Sequence, residues 1–492
     1  MRRHSIINVC LPGQIHLERG LLMENIISRI YELLKETNNL IEFEEQIKLL
    51  MYNTFADLVG EVFNQLNEVI KEQKQAENWK VERNDQKGIQ FVFGDVRFRR
   101  TLMYDDKGNP RYPLDEWLGL RKHQRYSPLV EVKVAEMASK SDYRETERVL
   151  KEWTAVDLSH NTVGNIVKRV GKAQAKFDEA MVQDLEVSAE LPKGNKEVNY
   201  LYTEADGVFV RSLKKKKHIE VSHAIMYEGW DKNGKRVSLR NPTVLMTTKG
   251  TDDFWKEVQT IAAHEYSLEQ TQVVSNSDGG PGYSAEKFKQ AFSQSRLPIL
   301  HQLDAYHIEQ AINRTFGYKK TEWKDKIRKA LENINLEDFK LIVDTYESTQ
   351  NDEKKIKSIS DFRTYILNHW EYIQDWRERA ESPPCDARGL GAMESNQRRI
   401  TYRMKKRGMH WSKDGAEAMV KIKQGIANNT LREVYLASQK RSFRKHREIR
   451  KTVRISQFLR QPSRPSIGVK QGSISLYTAH SSAIGRLFKS IS

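Results

Sequence analysis

Between residues 198 and 303 the sequence alternates between apolar runs typical of strands and segments with helical spacing. Each apolar run is short enough for a strand, and turn-forming residues separate it from the next segment. Three strands followed by alternating helices and strands predict an α/β fold on a mixed five-stranded sheet whose later part is parallel. The predicted strands are 198–213, 219–228, 241–247, 271–276 and 298–303, and the predicted helices are 252–264 and 284–293.

Two aspartates interrupt these apolar runs, and a glutamate lies further along the chain. Asp206 lies within the first strand, Asp278 follows the fourth, and Glu394 begins a basic amphipathic helix. Two carboxylates from strand ends and one from a helix suit a pair of hard divalent cations about 3.5–4 Å apart, as in phosphodiester chemistry. Each acid also has a structural explanation: a hairpin turn at Asp206-Gly207, a glycine loop after Asp278, and a favourable charge at a helix N-terminus for Glu394. The residues alone leave both interpretations open.

The charge balance favours a polyanionic partner. The 492 residues include 82 Lys and Arg against 66 Asp and Glu, a formal net charge of +16, which attracts nucleic acid through counterion release. A basic protein without such a partner is the alternative. Cys10 and Cys385 are too few for a disulfide scaffold or a cysteine zinc site, and no apolar run reaches the roughly 18 residues that span a bilayer. These features predict a soluble, cytoplasmic protein.

The first 128 residues divide by their periodicity into three regions. Residues 1–22 lack the apolar stretch of a secretory signal, and Met23 is a better start, so we expect this leader to be an over-extended reading frame. Residues 23–87 predict an N-terminal helical region, whose apolar faces pack on the rest of the chain or form a dimer. Residues 88–128 predict a small β-hairpin region whose arginines contact phosphates or face solvent.

Residues 129–175 contain three helical segments and predict a helix-turn-helix DNA-binding region. The first segment ends near Ala138, the second spans 143–153, and Ser159 is suited to cap the third. In such a motif the last helix enters the major groove; a purely structural bundle is the alternative. The expected contacts are His160, Asn161, Asn165 and Lys168 with base edges, and Arg169 and Lys172 with phosphates.

The C-terminal part contains a helical segment and then a strongly basic one. Residues 318–385 carry large apolar residues at helical spacing, which form a core or wedge against unstacked bases. Residues 386–460 hold the Glu394 helix and basic helices, and residues 461–492 are expected to form a loosely ordered tail. The candidate DNA contacts here are Arg398, Arg399 and Arg403, followed by a basic run from Lys440 to Lys451.

Four segments carry a resemblance to a known family. They lie around Asp206, around Asp278, at Leu303-Asp-Ala-Tyr-His307 and at Gly389-Leu-Gly-Ala-Met-Glu-Ser-Asn-Gln-Arg-Arg399. In order and content they resemble bacterial insertion-sequence transposases of the ISLre type, whose layout is similar to that of Mutator-type transposases. The resemblance covers most of the chain from Met23 to the C-terminus.

The resemblance implies a fold, a site and an activity. The fold is an RNase H-like catalytic core whose first part is 196–317, with an all-helical insertion at 318–385. In the site, Asp206, Asp278 and Glu394 are catalytic and hold two Mg²⁺ or Mn²⁺ ions, while Asp304 and His307 support them or form a structural pair. The activity is cleavage and transfer of double-stranded DNA at the terminal inverted repeats of an insertion sequence, by two-metal phosphoryl transfer. A homo-oligomer on the bacterial nucleoid would hold the two ends.

Two other functions fit the same residues. A catalytically silent DNA-binding regulator descended from a transposase would keep the basic surfaces without the chemistry. A structure-selective DNA nuclease on the same fold would cut strands without joining them.

Overall fold

The computed structural model describes residues 12–187, 194–319 and 321–439, with side chains from residue 24 onwards. The chain is divided into two compact units. Within the described part, one unit comprises 12–60, 86–98 and 119–439, and the other comprises 61–85 and 99–118. The start of the expected leader, the basic run from Lys440 and the expected tail at 461–492 lie outside the described residues.

The elements before the central sheet are α1 (Pro12–Glu36), α2 (Leu40–Ala76), β1 (Lys80–Phe91), β2 (Gly94–Tyr104), β3 (Pro110–Arg111), α3 (Pro113–Leu118), α4 (Pro128–Ala138), α5 (Tyr143–Trp153) and α6 (His160–Val187). The sheet and its flanking helices are β4 (Tyr200–Arg211), β5 (His218–Tyr227), β6 (Trp230–Asn233), β7 (Arg236–Leu239), β8 (Thr243–Thr247), α7 (Thr251–Glu265), β9 (Gln272–Ser277), α8 (Ala285–Ala291) and β10 (Leu300–Leu303). The helices that follow are α9 (Ala305–Phe316), α10 (Glu322–Glu332), α11 (Leu336–Ser348), α12 (Glu353–Asn368), α13 (Trp376–Arg379), α14 (Ala392–Met404), α15 (Lys413–Ala427) and α16 (Leu431–Ser438).

The central sheet has the strand order β10-β9-β4-β5-β8. Strand β5 runs antiparallel to β4 and β8, whereas β9 runs parallel to both β4 and β10. The prediction of a mixed five-stranded α/β sheet is therefore confirmed. The hairpin of β6 and β7 was not predicted, because its short, mostly exposed strands have no clear apolar alternation.

The two faces of the sheet carry separate cores, because successive side chains of a strand point to opposite faces. On β4, Tyr202 and Val208 contribute to a core that also includes residues of α6, α14 and α15. Leu201 and Ala205 contribute to the opposite core, with α7 and α8. Helix α14, which carries Glu394, is therefore on the Tyr202 face.

Helices α4, α5 and α6 lie where the helix-turn-helix prediction expects helices. The Ser159 hydroxyl accepts a hydrogen bond from the Thr162 N–H at 3.4 Å, as a capping residue does. The predicted buried side of α6 is buried, with Val163, Ile166 and Val167 at 0% exposure. However, α6 continues to Val187, past the expected boundary at 175, and its apolar side chains belong to the same core as the sheet. The three helices are therefore not a separately packed module, and their role in DNA binding stays a prediction.

A buried ion cluster joins three helices of the first unit. The Lys421 Nζ on α15 lies 2.7 Å from the Asp178 Oδ2 on α6 and 2.6 Å from the Glu257 Oε2 on α7. All three side chains are at most 5% exposed. Burial lowers the pKa of Lys421, but the two carboxylates outweigh this effect and raise it overall. The ammonium is thus held charged in the interior.

Helices α9 to α12 pack around a core of their own. It includes five of the large apolar residues that lie at helical spacing in 318–385: Ile327, Leu331, Phe339, Phe362 and Ile366. Their burial favours core packing over stacking against bases. The description of 318–385 as an insertion stays a prediction.

The second unit contains parts of α2, β1 and β2 together with β3 and α3. The buried Asn67 side-chain amide accepts a hydrogen bond from the Thr101 N–H at 3.0 Å. The same amide donates a hydrogen bond to the Thr101 hydroxyl at 2.9 Å. Strand β1 begins at Lys80, so residues 80–87 are strand where the sequence interpretation expected helix. The sequence shows no alternation of apolar and polar residues in 80–87, because most of these side chains are exposed.

Candidate functional site

Asp206 lies inside β4, directly opposite His223 of β5. The hairpin turn considered for Asp206-Gly207 is excluded, because β4 continues through Arg211. A Cβ added at Gly207 would lie 2.5 Å from the Glu220 Oε1 and 3.0 Å from the Tyr283 hydroxyl, so a larger residue there would displace the Glu220 side chain. Asp206 is 9% exposed, and its Oδ1 accepts a hydrogen bond from the Gly207 N–H at 2.6 Å.

Asp278 and Asp304 follow the two neighbouring parallel strands. Asp278 comes directly after β9, and its Oδ1 accepts from the Gly280 N–H at 2.8 Å. Asp304 comes directly after β10 and caps α9, with its Oδ1 accepting from the Tyr306 N–H at 2.8 Å. Because β4, β9 and β10 are parallel, their carboxyl ends form one edge of the sheet, the usual ligand-binding edge of such folds.

The three aspartates influence one another electrostatically. Burial, followed by the negative charge of Asp278, raises the pKa of Asp206 to about 6. Burial also raises the pKa of Asp304, with a contribution in the same direction from Asp278. His307 lowers the pKa of both groups, and its Nε2 lies 4.0 Å from the Asp206 Oδ2. This edge of the sheet therefore concentrates negative charge that one histidine only partly offsets.

Glu204 attaches α14 to the sheet. It is fully buried, and its Oε1 and Oε2 accept hydrogen bonds from the N–H groups of Gly391, Ala392 and Met393 at 3.2, 3.0 and 2.8 Å. The Tyr227 hydroxyl donates to the Oε1 at 2.7 Å. Burial raises the pKa of Glu204, although all four donors act against the rise. A carboxylate from β4 thus satisfies the free N–H groups at the start of α14, where its charge also suits the helix dipole.

The α14 side chain that contacts Asp206 is Gln397. Its Nε2 donates a hydrogen bond to the Asp206 Oδ2. Glu394 lies one turn earlier on the helix surface and is exposed. Residues three apart are neighbours on a helix, so Glu394 lies near this contact without taking part in it.

The carboxylate oxygens are suitable ligands for a hard divalent cation, but the described side chains are not arranged as a complete ligand set. Their oxygens are the ligands that Mg²⁺ prefers, and the repulsion between Asp206 and Asp278 is what a bound cation relieves. Within the described residues, however, no group of three or more His, Cys, Asp or Glu side chains is placed to hold a metal ion. The structure therefore brings Asp206 and Asp278 together and does not bring Glu394 into a ligand set with them.

Helix α12 and the residue after its end support the loop that carries Asp278. The Tyr365 hydroxyl donates to the Asp278 carbonyl oxygen at 3.0 Å. His369 Nε2 lies 3.1 Å from the Gly279 carbonyl oxygen. The conformation of this loop thus depends on a helix that lies far from it in sequence.

His223 and two residues already described were missed by the sequence interpretation. His223 is fully buried beside Asp206, and neither ring nitrogen has a hydrogen-bond partner in the part of the chain that the structure describes. Burial lowers its pKa to about 3, and the charge of Arg399 acts in the same direction, so the ring is neutral. The strand period of two places Glu204 on the face of Asp206, and the helix period places Gln397 beside Glu394. These signals were present in the sequence but were not used.

The candidate DNA-contacting residues differ in their exposure and in their partners within the protein. On α6, Asn161, Asn165, Lys168 and Lys172 are exposed along one side of the helix. His160 is instead held by Glu147, whose Oε2 lies 3.0 Å from its Nδ1. Arg169 is partly exposed and forms an ion pair with the buried Glu131.

On α14, Arg398 and Arg399 are exposed. Arg403 is 2% exposed, and its Nε donates to the Ala138 carbonyl oxygen at 3.0 Å. The expectation that Arg403 contacts DNA is therefore corrected, because it lies on the buried side of the helix together with Ile400.

The chain belongs to an uncharacterised protein family, UPF0236, whose model matches residues 33–454. One relative, named UPF0236 protein in vanSb 3'region, is from Streptococcus gallolyticus and is 32% identical over 410 residues, 83% of this chain and 88% of the relative. A UPF0236 protein of Caldanaerobacter subterraneus subsp. tengcongensis is 26% identical over 445 residues, 89% of this chain and 88% of the relative. The name of this second relative joins eleven numbered designations from the one strain.

Among solved structures, the Mos1 mariner paired end complex with Mn matches 51% of this chain and 80% of that chain. The identity is 10% and the TM-score is 0.11, so this likeness carries no argument about fold or function. In the described part of the chain, no helix combines the length and apolar character needed to cross a membrane.

Proposed function

We propose that this protein is a transposase of the ISLre type, which cleaves and transfers DNA strands at the ends of an insertion sequence. The observation that carries the proposal is the pairing of Asp206 and Asp278 at the carboxyl edge of the sheet, beside the helix that bears Glu394. In this proposal the sheet is an RNase H-like core and the three acids are its catalytic set.

In this proposal Asp206, Asp278 and Glu394 would hold two Mg²⁺ or Mn²⁺ ions. Bound in this way, the ions supply an activated water or hydroxyl and stabilise the charge of the phosphodiester. The residues of the chain do the positioning: Gln397 orients the Asp206 carboxylate, and Glu204 fixes the start of α14 next to β4. Asp304 and His307 are proposed to support the set, because both act on the charge of Asp206.

Double-stranded DNA is the proposed substrate. The net charge of +16 favours a polyanion, and the exposed side of α6 presents amide and ammonium groups of the kind that contact base edges and phosphates. A relative whose name joins eleven designations from one strain is expected if the same protein is encoded at several places in that genome. Repeated copies are what a mobile element leaves. Two copies of the protein would hold the two element ends in a homo-oligomer.

The test is a cleavage and joining assay on labelled DNA that carries the ends of the element, with Mg²⁺ or Mn²⁺. Metal-dependent nicking and joining by the native protein, lost in Glu394→Gln, is the expected result. Glu337→Gln is the matched control, since Glu337 is a highly exposed carboxylate on α11. Nicking without joining would identify a nuclease, and specific end binding without cleavage would identify a regulator; either outcome overturns the proposal.

A further inference from the structure

A cleft of about 890 Å³ lies along the flank of α14 that is opposite Gln397. We call it the α14 cleft; its wall includes Trp230, Leu239, Arg388, Leu390, Asn396 and Arg399. The hairpin of β6 and β7 forms one side, and the loop before α14 with the first turns of the helix forms the other. The carboxylate edge of the sheet lies across the helix, a distance on the order of 10 Å.

The walls of the α14 cleft differ in chemistry. Leu239 and Leu390 are partly buried apolar residues, and Trp230 shows only 9% of its surface because it packs on Tyr202 with ring centroids 4.6 Å apart. This part of the wall is apolar and held firmly by the core of the sheet. It offers a surface for a planar apolar group.

Cations line the other part of the cleft. Arg388 and Arg399 are exposed and line the cleft, and among the described residues neither forms an ion pair. The Arg399 Nε donates to the Asn396 Oδ1 at 3.0 Å, and both side chains line the cleft. An arginine without a carboxylate partner is available for a phosphate, whose geometry it matches.

The helix N-terminus itself is not available to an anion. The N–H groups of Gly391, Ala392 and Met393 are already hydrogen-bonded to Glu204. Recognition of a negative group in this cleft therefore falls to the arginine side chains.

We infer that the α14 cleft binds an unpaired nucleotide of a DNA strand, with the base against the apolar wall and the phosphate against Arg388 and Arg399. An apolar wall beside cations is the combination that single-stranded nucleic acid requires. The volume of about 890 Å³ lies in the range of small-molecule sites, which is the size class of a single nucleotide. The inference rests on the proposed function, because a strand cut at the carboxylate edge places a neighbouring nucleotide on the other side of α14.

The first experiment measures binding of the full-length protein to oligothymidylate at several salt concentrations. Replacing Arg388 or Arg399 by Gln should weaken binding several-fold, and the slope of log affinity against log salt should fall by about 0.7 for each phosphate that the variant no longer neutralises. Arg296→Gln is the matched control, because Arg296 is exposed and pairs with Glu269 at 3.1 Å, outside the cleft. Equal weakening in the control and the cleft variants would overturn the inference.

The second experiment photo-crosslinks an oligonucleotide with 4-thiothymine to the native protein and maps the modified peptides. Crosslinks in residues 230–242 or 387–399 are expected. Crosslinks confined to other parts of the chain would overturn the inference, even if the protein cleaves and joins DNA. Crosslinks in the cleft of a protein that fails the cleavage assay would support the inference and refute the proposed function instead.

Discussion

Replacing Glu204 by Gln should loosen the start of α14. The carboxylate accepts hydrogen bonds from three backbone N–H groups and the Tyr227 hydroxyl, with no exposed surface. A glutamine side chain keeps one acceptor oxygen but turns an NH₂ group towards one of these donors. It also removes the negative charge at the N-terminus of the helix.

The magnitude follows from these two effects. One buried N–H without an acceptor costs about 1–3 kcal/mol, and removing the helix–charge interaction costs up to about 2 kcal/mol in a buried setting. The two ranges sum to about 1–5 kcal/mol, and a middle value of about 2–3 kcal/mol corresponds to a factor of about 30–150 in a local opening equilibrium, since about 1.36 kcal/mol is tenfold. Because opening of α14 displaces Gln397 from Asp206, strand cleavage should fall as well.

Hydrogen–deuterium exchange measured by mass spectrometry on peptides covering 388–400 tests this prediction. Amide exchange there should accelerate by about 30- to 150-fold in Glu204→Gln, in line with a local opening free energy. Glu220→Gln is the matched control, because Glu220 is partly exposed and accepts a single described hydrogen bond, from the Tyr283 hydroxyl at 2.9 Å. Unchanged exchange at the start of α14 in Glu204→Gln would refute the role assigned to this carboxylate.

Three further predictions concern charge and positioning. The folded pKa of Asp206 is about 6 against an ordinary 3.8, so folding favours the protonated carboxyl. The contribution of this group to the stability of the protein is therefore complete below pH 3.8 and is lost as the pH rises through 6. Asp206→Asn should therefore be about 3 kcal/mol more stable than the native protein at pH 8 without divalent metal, at about 1.36 kcal/mol per pH unit, and equal to it at about pH 3.5; thermal melts showing no pH dependence of the difference would refute this. Lys421→Met should lose about 3–5 kcal/mol in denaturant unfolding, since it leaves two buried carboxylates unpaired, whereas the exposed Lys256→Met should change little; equal effects would contradict the argument. Tyr365→Phe should raise the Mg²⁺ concentration needed for half-maximal cleavage, with the stability nearly unchanged, because the hydroxyl supports the loop of Asp278; an unaltered metal dependence would exclude this role.

Local patterns were enough to predict the elements of the sheet. The strands β4, β5, β8, β9 and β10 lie where the apolar runs placed them, because the period of two and the intervening helical segments are properties of neighbouring residues. The positions of Asp206 and Asp278 at related places in the sheet follow from the same alternation. The net charge and the family to which the chain belongs also follow from the sequence alone.

Tertiary packing decided which side chains meet at the site. The role of Glu394 as the partner of the aspartates stays a prediction, whereas the structure shows Gln397 against Asp206 and buries Arg403. The rotation of α14 about its own axis is set by its contacts with β4 and with the core, and above all by Glu204, which is 187 residues away from Gly391. No local pattern contains that information, because helical periodicity defines the faces of a helix and only the fold decides which face meets the sheet.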